Sequence, residues 1–181
     1  GKITDSQNKI TYNYGTIEKN NALVDTNYNI IENNTGTINR YSSDATLNEN
    51  SGTINTLSKG SVRKNTGKIN DVNDKNVTIY NYAGGTVGKS DNAWGVRACT
   101  VWNMGGIVQG YSSYADNVKV YNFEGGTVSN LRKGSVIYNL GGTITDSSTA
   151  QVLNCYKVNI NSSFVETWND KFIINPDTGE V

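Results

Sequence analysis

One short pattern, Asn-x-Gly-Thr-Ile with its longer form Asn-x-(x)-Gly-Gly-Thr-Val, recurs along almost the whole chain. Its copies reach their last glycine at Gly15, Gly36, Gly52, Gly67, Gly85, Gly106, Gly126 and Gly142, at intervals of 15 to 21 residues. Such an interval is too short for two helices and a turn, and each copy is built from β-branched residues, Gly and Asn rather than helix formers. The expected fold is therefore all-β: a single-domain parallel β-solenoid (β-helix) of about eight coils.

Two segments define the coil. Gly52 to Val62 and Gly126 to Val136 align almost residue for residue, and each is followed three residues later by an Asn, Asn65 or Asn139. Each coil reads Gly-Thr-(Ile/Val), five variable residues, a small residue, a spacer, an aliphatic residue, then Asn and the next Gly, which gives two short strands. One inward ladder is expected from Ile17, Ile38, Ile54, Ile69, Val87, Val108, Val128 and Ile144. A second is expected from Leu47, Val62, Ile79, Val101, Val120, Val136 and Val152. Layers in such a stack are ~4.8 Å apart. The repeated Asn34, Asn50, Asn65, Asn81, Asn103, Asn122 and Asn139 are expected to stack at a corner, each amide bonding to the one above and below. With 19 Gly and one Pro, the chain keeps its ladder donors and supplies residues that tolerate positive φ at tight corners.

Where the interval exceeds 16 residues, the surplus is expected to leave the stack as loops. The insertions are Lys89 to Gly95 and Gln109 to Asp116, with another near Asn27 and Tyr28. After Gly142 the pattern decays through Asn154 to Ile160 and gives way to Phe164, Trp168 and Phe172. Residues 1–160 are thus read as the repeat domain, and 161–181 as a C-terminal cap or the lead into a following domain, since a solenoid end needs cover for its last layer.

The repeats Val-Tyr-Asn-Phe-Glu-Gly-Gly-Thr-Val and Val-Ile-Tyr-Asn-Leu-Gly-Gly-Thr-Ile resemble those of filamentous haemagglutinin-like bacterial adhesins, over residues 12–154. The resemblance implies a right-handed parallel β-helix, secretion and a role in adhesion. The spacing here is less regular than in those adhesins, and this fragment does not include the secretion-signal domain that marks them. Phage tail fibres and spikes share the architecture.

Chemistry is sparse. The chain has no His, which removes the commonest general base, the Ser-His and Cys-His pairs and most transition-metal sites. Carboxylates remain, and Asp71 with Asp74, Asp91 with Asp116, and Asp44 are the groups a polysaccharide-cleaving groove would draw on. Two of them would have to stand about 5 to 9.5 Å apart. Loop carboxylates are more often solvated surface groups, so no catalytic residue, metal or cofactor is expected. Cys99 and Cys155 fall in coils too far apart for a disulfide and read as small core residues.

The functional reading rests instead on Trp94, Tyr111 and Tyr114, with Asp91, Asn92 and Asp116, all in the two inserted loops, where a core has no use for rings. Aromatics on a rigid scaffold stack on sugars or anchor a protein. Trp102 and Tyr121 are expected to pack with Tyr80 and Tyr138 as a tyrosine ladder. Thr143 to Thr145 is nearly isolated as an ice-binding pattern, and the sequons at Asn33, Asn76 and Asn161 are expected by chance in so Asn-rich a chain.

Sixteen basic and sixteen acidic residues cancel without long runs of either sign, which disfavours nucleic acid and anionic membrane as partners. No apolar stretch approaches the roughly 20 residues of a membrane span. The chain lacks an initiating Met and is read as a piece of a longer protein. The expectation is a non-catalytic adhesin-like stalk or binding domain on an extracellular, cell or virion surface, recognising a host or bacterial surface glycan or protein through the inserted loops. The alternatives are a tail-fibre or tailspike segment that binds or cleaves host polysaccharide, which would trimerise, and a self-assembling structural protein. A homo-oligomer stays open.

Overall fold

The computed structural model describes residues 1–89, 95–110, 117–147 and 149–155. Among these residues every regular element is a strand, and the strands wind into a parallel β-solenoid of about nine turns. In chain order the coils pair β1 (Lys2–Ser6) with β2 (Ile10–Asn13), β3 (Thr16–Asn20) with β4 (Leu23–Asn27), and β5 (Ile31–Asn34) with β6 (Thr37–Tyr41). In the next coil the first strand is split into β7 (Thr46–Leu47) and β8 (Glu49–Asn50), followed by β9 (Thr53–Leu57). Then come β10 (Ser61–Asn65) with β11 (Lys68–Asn73), and β12 (Thr78–Tyr82) with the short β13 (Thr86–Val87) and β14 (Val96–Arg97). The last coils are β15 (Thr100–Met104) with β16 (Ile107–Gln109), β17 (Lys119–Phe123) with β18 (Thr127–Ser129), and β19 (Val136–Leu140) with β20 (Thr143–Thr145), before β21 (Gln151–Asn154). The opening strand of each coil joins the first sheet, which ends with β21, and its closing strand or strands join the second; all neighbours within a sheet are parallel.

Parallel, in-register pairing brings each residue to its counterpart one coil on. In the second sheet Ile38, Ile54, Ile69, Val87, Val108, Val128 and Ile144 follow one another in a ladder. The first sheet carries Leu47, Val62, Ile79, Val101, Val120, Ile137 and Val152. Most of these side chains are fully buried, and together they form the main core cluster.

Two ladder positions differ from the sequence reading. Ile17 lies in the first sheet, paired with Ile31, and Val24 occupies the place in the second sheet that precedes Ile38. The motif at Gly15 therefore turns the opposite corner. In β19 the inward residue is Ile137, while Val136 pairs with Lys119. The reason is a change of coil type. In the early coils the aliphatic residue stands three before the Asn, as in Val62 and Asn65; from β12 onward it stands two before, as in Ile79 and Asn81. A register shift between Val62 and Asn65 absorbs the difference.

The motif count also misses a coil. The turn at Asn20–Ala22 has no glycine, and the N-terminal coils are only 14 residues long, the step from Ile17 to Ile31. The surplus near Asn27 and Tyr28 is thus no insertion but a further corner. There Asn27 is fully buried and its Oδ1 accepts the Asn13 side-chain amide at 2.6 Å.

The glycines do two different jobs. Gly67 has no positive φ; it is needed because a methyl there would collide with the Gly52 carbonyl of the coil before. In the Gly-Gly corners the first glycine takes the left-handed conformation, φ 87° at Gly84, and the second makes the close approach, Gly85 lying against Asn65 and Asn81. Positive φ alone does not explain the motif.

Cys99 is in the core, where burial pushes its thiol up to about 12. Cys155 is outside it, packed beside Met104, Phe123 and Leu140 in a separate outer cluster on the first sheet. The expected small-core role thus fits Cys99 alone. Residues 161–181, read as a cap, lie outside the described residues.

At the corner between the sheets runs an unbroken line of amides. Asn20 donates to Asn34 at 2.8 Å, Asn34 to Asn50 and Asn50 to Asn65 at 2.7 Å each, and Asn65 to Asn81 at 2.8 Å. The line continues through Asn103, Asn122 and Asn139 to Asn154. Most members are fully buried. A second line, Asp25, Asn39, Asn55 and Asn70, has similar bonds of 2.7–2.9 Å on the outer face of the second sheet.

Comparing the two lines isolates the effect of burial. Asn65→Leu strands the Asn50 donor and the Asn81 acceptor in a dry corner, and is expected to cost roughly 2–5 kcal/mol in urea unfolding. Asn55→Leu, where water replaces the lost partners, should cost less than about 1 kcal/mol. Equal losses would show that burial does not set the strength of the ladder. Tyr41 supplies a pH test. Its ring is fully buried, its hydroxyl donates to the Ala45 carbonyl at 3.2 Å, and burial pushes its phenol up to about 12. The folded state favours the neutral phenol, so this contribution is complete below about pH 10 and is lost as pH rises through about 12. Tyr41→Phe should be about 1 kcal/mol less stable at pH 8, and the order should reverse by pH 12. Parallel stability curves would contradict the assignment.

Candidate functional site

The inserted loops singled out by the sequence lie outside the described residues: Asp91, Asn92 and Trp94 in the first, Tyr111, Tyr114 and Asp116 in the second. The residues flanking them show where the insertions start. The first follows β13 and returns into β14, both in the second sheet; the second follows β16, also in the second sheet.

Among the described residues, the carboxylates considered for cleavage are engaged singly. Asp44 is exposed and paired with Lys59 at 3.5 Å. Asp74 accepts the Asn76 backbone N–H at 2.8 Å and so caps a turn. Asp71 is half-buried on β11, where desolvation raises its carboxyl against the opposing pull of Lys89, the Gly95 N–H and Arg97. Among the described residues no three His, Cys, Asp or Glu side chains gather as a metal centre would require.

The first sheet carries the more developed surface. Because β12, β15, β17 and β19 pair in register, Tyr80, Trp102, Tyr121 and Tyr138 fall one above another. Their rings lie nearly parallel, 9–11° apart, with centroids at 6.2, 3.9 and 4.9 Å. Offset stacking of this kind adds roughly 0.5–1.5 kcal/mol per pair beyond burial. It also uses the ring faces, so along the stack the rings offer edges to solvent. Burial raises the Tyr121 phenol, with a smaller push from Tyr138.

The stack begins at Tyr80, and the sheet changes character there. One coil earlier, at β10, the outward positions are Arg63 and Lys64, both exposed. Beside them the register lines up Thr46, Ser61 and Thr78, three short hydroxyl side chains. Small residues next to rings leave a groove of about 790 Å³, walled at one end by Tyr80 and Tyr82 and edged by Asn33, Asn48, Glu49, Arg63 and Lys64. Its size falls in the usual range of ligand sites, roughly 300–1,000 Å³.

Its electrostatics are uneven. Lys64 is paired with Glu49 at 2.8 Å across adjacent strands, whereas Arg63 has no carboxylate partner among the described residues. Arg63 stands near Tyr80: burial raises that phenol above its ordinary range, and the Arg63 charge works against the rise. The groove thus combines ring, hydroxyl, amide and the Arg63 guanidinium. Sequence reasoning places Tyr80 in a ladder but misses this groove, whose residues come from several coils. The signal in the sequence is the alignment of Thr46, Ser61 and Thr78 just before the inward aliphatic residue.

Comparison with protein-family models, with curated proteins and with solved structures finds no match to this chain.

Proposed function

We propose that the chain is a non-catalytic extracellular surface module, adhesin-like in the sense its repeats suggest, that binds glycan through the groove on its first sheet. The carrying observation is the meeting of the Tyr80–Tyr82 wall with a hydroxyl floor and the Arg63 guanidinium in one groove. A sugar has apolar C–H faces that rest on rings and a rim of hydroxyls that need both donors and acceptors. Tyr80 and Tyr82 supply the first, and Thr46, Asn48, Ser61, Arg63 and Thr78 the second. The scaffold suits such binding, because strands tied by the corner amides let a shallow site keep its shape without ordering cost when a ligand arrives. Trp94, Tyr111 and Tyr114 are a second contact region in this reading, offered from the insertions that follow second-sheet strands.

A glycan array separates these contributions. The wild type is expected to bind a defined glycan class, and Asn48→Ala/Arg63→Ala, at two exposed positions, is expected to weaken binding roughly tenfold or more while leaving the unfolding transition in place. Retained binding by that variant, with loss in Trp94→Ala/Tyr111→Ala/Tyr114→Ala, would move the site to the loops. No binding by the wild type would overturn the glycan reading.

A further inference from the structure

The corner leading from the second sheet back to the first has its own outward column. Tyr14, Tyr28, Ser42, Ser58 and Asn73 each follow one of the aligned residues Asn13, Asn27, Tyr41, Leu57 and Val72, so they succeed one another coil by coil. The column changes abruptly from rings to hydroxyls. Tyr14 and Tyr28 are stacked, 5.2 Å between centroids and 9° apart, and both are well exposed, at 70% and 49%. The ring of Tyr28 has Tyr14 on one face; its other face looks along the column toward Ser42. There the drop in side-chain size opens a groove of about 440 Å³ lined by Tyr28, Arg40, Ser42, Ser58, Lys59 and Asn73.

Arg40 is held over this groove. Its Nε donates to the Ser42 hydroxyl at 3.0 Å, which fixes the guanidinium plane and leaves the paired Nη groups to reach a ligand. Its neighbours on the adjacent strands are the neutral Thr26 and Thr56. Asp25, on the strand above, is already engaged by Lys9 at 2.9 Å and by the Asn39 amide at 2.9 Å. Lys59 is partly neutralised by Asp44 at 3.5 Å. With Arg40 and Lys59 positive and Asp44 negative, the groove carries a single net positive charge beside an open ring face.

We propose that this groove is a second binding site, selective for a saccharide residue bearing one carboxylate, such as a uronic acid. The sugar ring packs on Tyr28, its carboxylate takes the Arg40 fork in a bidentate pair, and its hydroxyls meet Ser42, Ser58 and Asn73. A single net charge matches one carboxylate; a densely sulfated chain would need a basic patch that this corner lacks. The site is independent of the groove beside Tyr80, since the two share no lining residue.

The test is a titration of the ¹⁵N-labelled chain with a defined oligogalacturonate and, separately, with its fully methyl-esterified form. The acid is expected to shift the amides of Tyr28, Ser42 and Ser58, and the ester to bind at least roughly tenfold more weakly. Arg40→Ala and Tyr28→Ala should each weaken binding of the acid roughly tenfold. Asp44→Asn, by releasing Lys59, should strengthen it a few-fold, a gain that a purely structural role for these residues would not give. Shifts confined to Asn48, Ser61 and Thr78 would place acid binding in the other groove and overturn this proposal while leaving the first reading intact. Equal binding of acid and ester, affinity unchanged in Arg40→Ala, or no shift at all would overturn it outright.

Discussion

The amide line at the corner is the interaction on which the other features depend. Asn is suited to it because one short side chain carries both a donor and an acceptor, so identical residues one coil apart complete each other. The same Nδ2 also reaches the carbonyl two residues on, as Asn65 does to Gly67 at 3.2 Å, which closes the turn between the sheets. One group therefore fixes the stacking of coils and the direction of the chain within each coil. A slip of one residue would leave buried amides unpaired in layer after layer, at roughly 1–3 kcal/mol each, and would turn the aliphatic ladders outward. The stack has a single register because the penalty repeats.

That constraint explains where the surface becomes uneven. The amide line runs straight through the change of coil type, Asn65 bonding to Asn81 as the members before and after do. What changes is the strand leading into it. Where the corner Asn stands three residues after the aliphatic position, two polar side chains, Arg63 and Lys64, lie between them and face water; where it stands two after, a single ring, Tyr80, takes their place. The ring stack can only begin after this change, and the groove lies on the boundary. It is a by-product of keeping the corner in line while the strand loses a residue.

The architecture is legible in the sequence because it depends on repetition, and repetition survives without knowing which residues touch. The two aliphatic ladders from Ile38 and Leu47 onward follow directly from spacing. Ile17 is misplaced by spacing for a physical reason: both corners close with the same Asn chemistry, so the motif around Asn13 and Gly15 looks like the one around Asn34 and Gly36 although they turn opposite ends of the coil. Val136 is mistaken for Ile137 because a shift of one residue inside a strand leaves no mark when both candidates are aliphatic. The grooves are less visible still. Thr46, Ser61 and Thr78 are 15 and 17 residues apart in steps set by coil length, and only the register makes them neighbours. The inserted loops draw attention because an insertion shows in a sequence and a column does not.

The aromatic residues make the same point about function. Counting rings would favour the coils from β12 onward, where Tyr80, Trp102, Tyr121 and Tyr138 line up, yet a closed stack has already used its faces on itself. A sugar needs a face. In a solenoid, faces are offered where a stack stops, because the in-register neighbour is then small. Tyr28 stands at such an end above Ser42, with Arg40 close by; at Tyr80 the ring column gives way to Arg63 and Lys64, with the short Thr46, Ser61 and Thr78 to one side. The informative feature of an aromatic column in this fold is therefore its terminus, and the residue that ends it decides what chemistry the ring can meet.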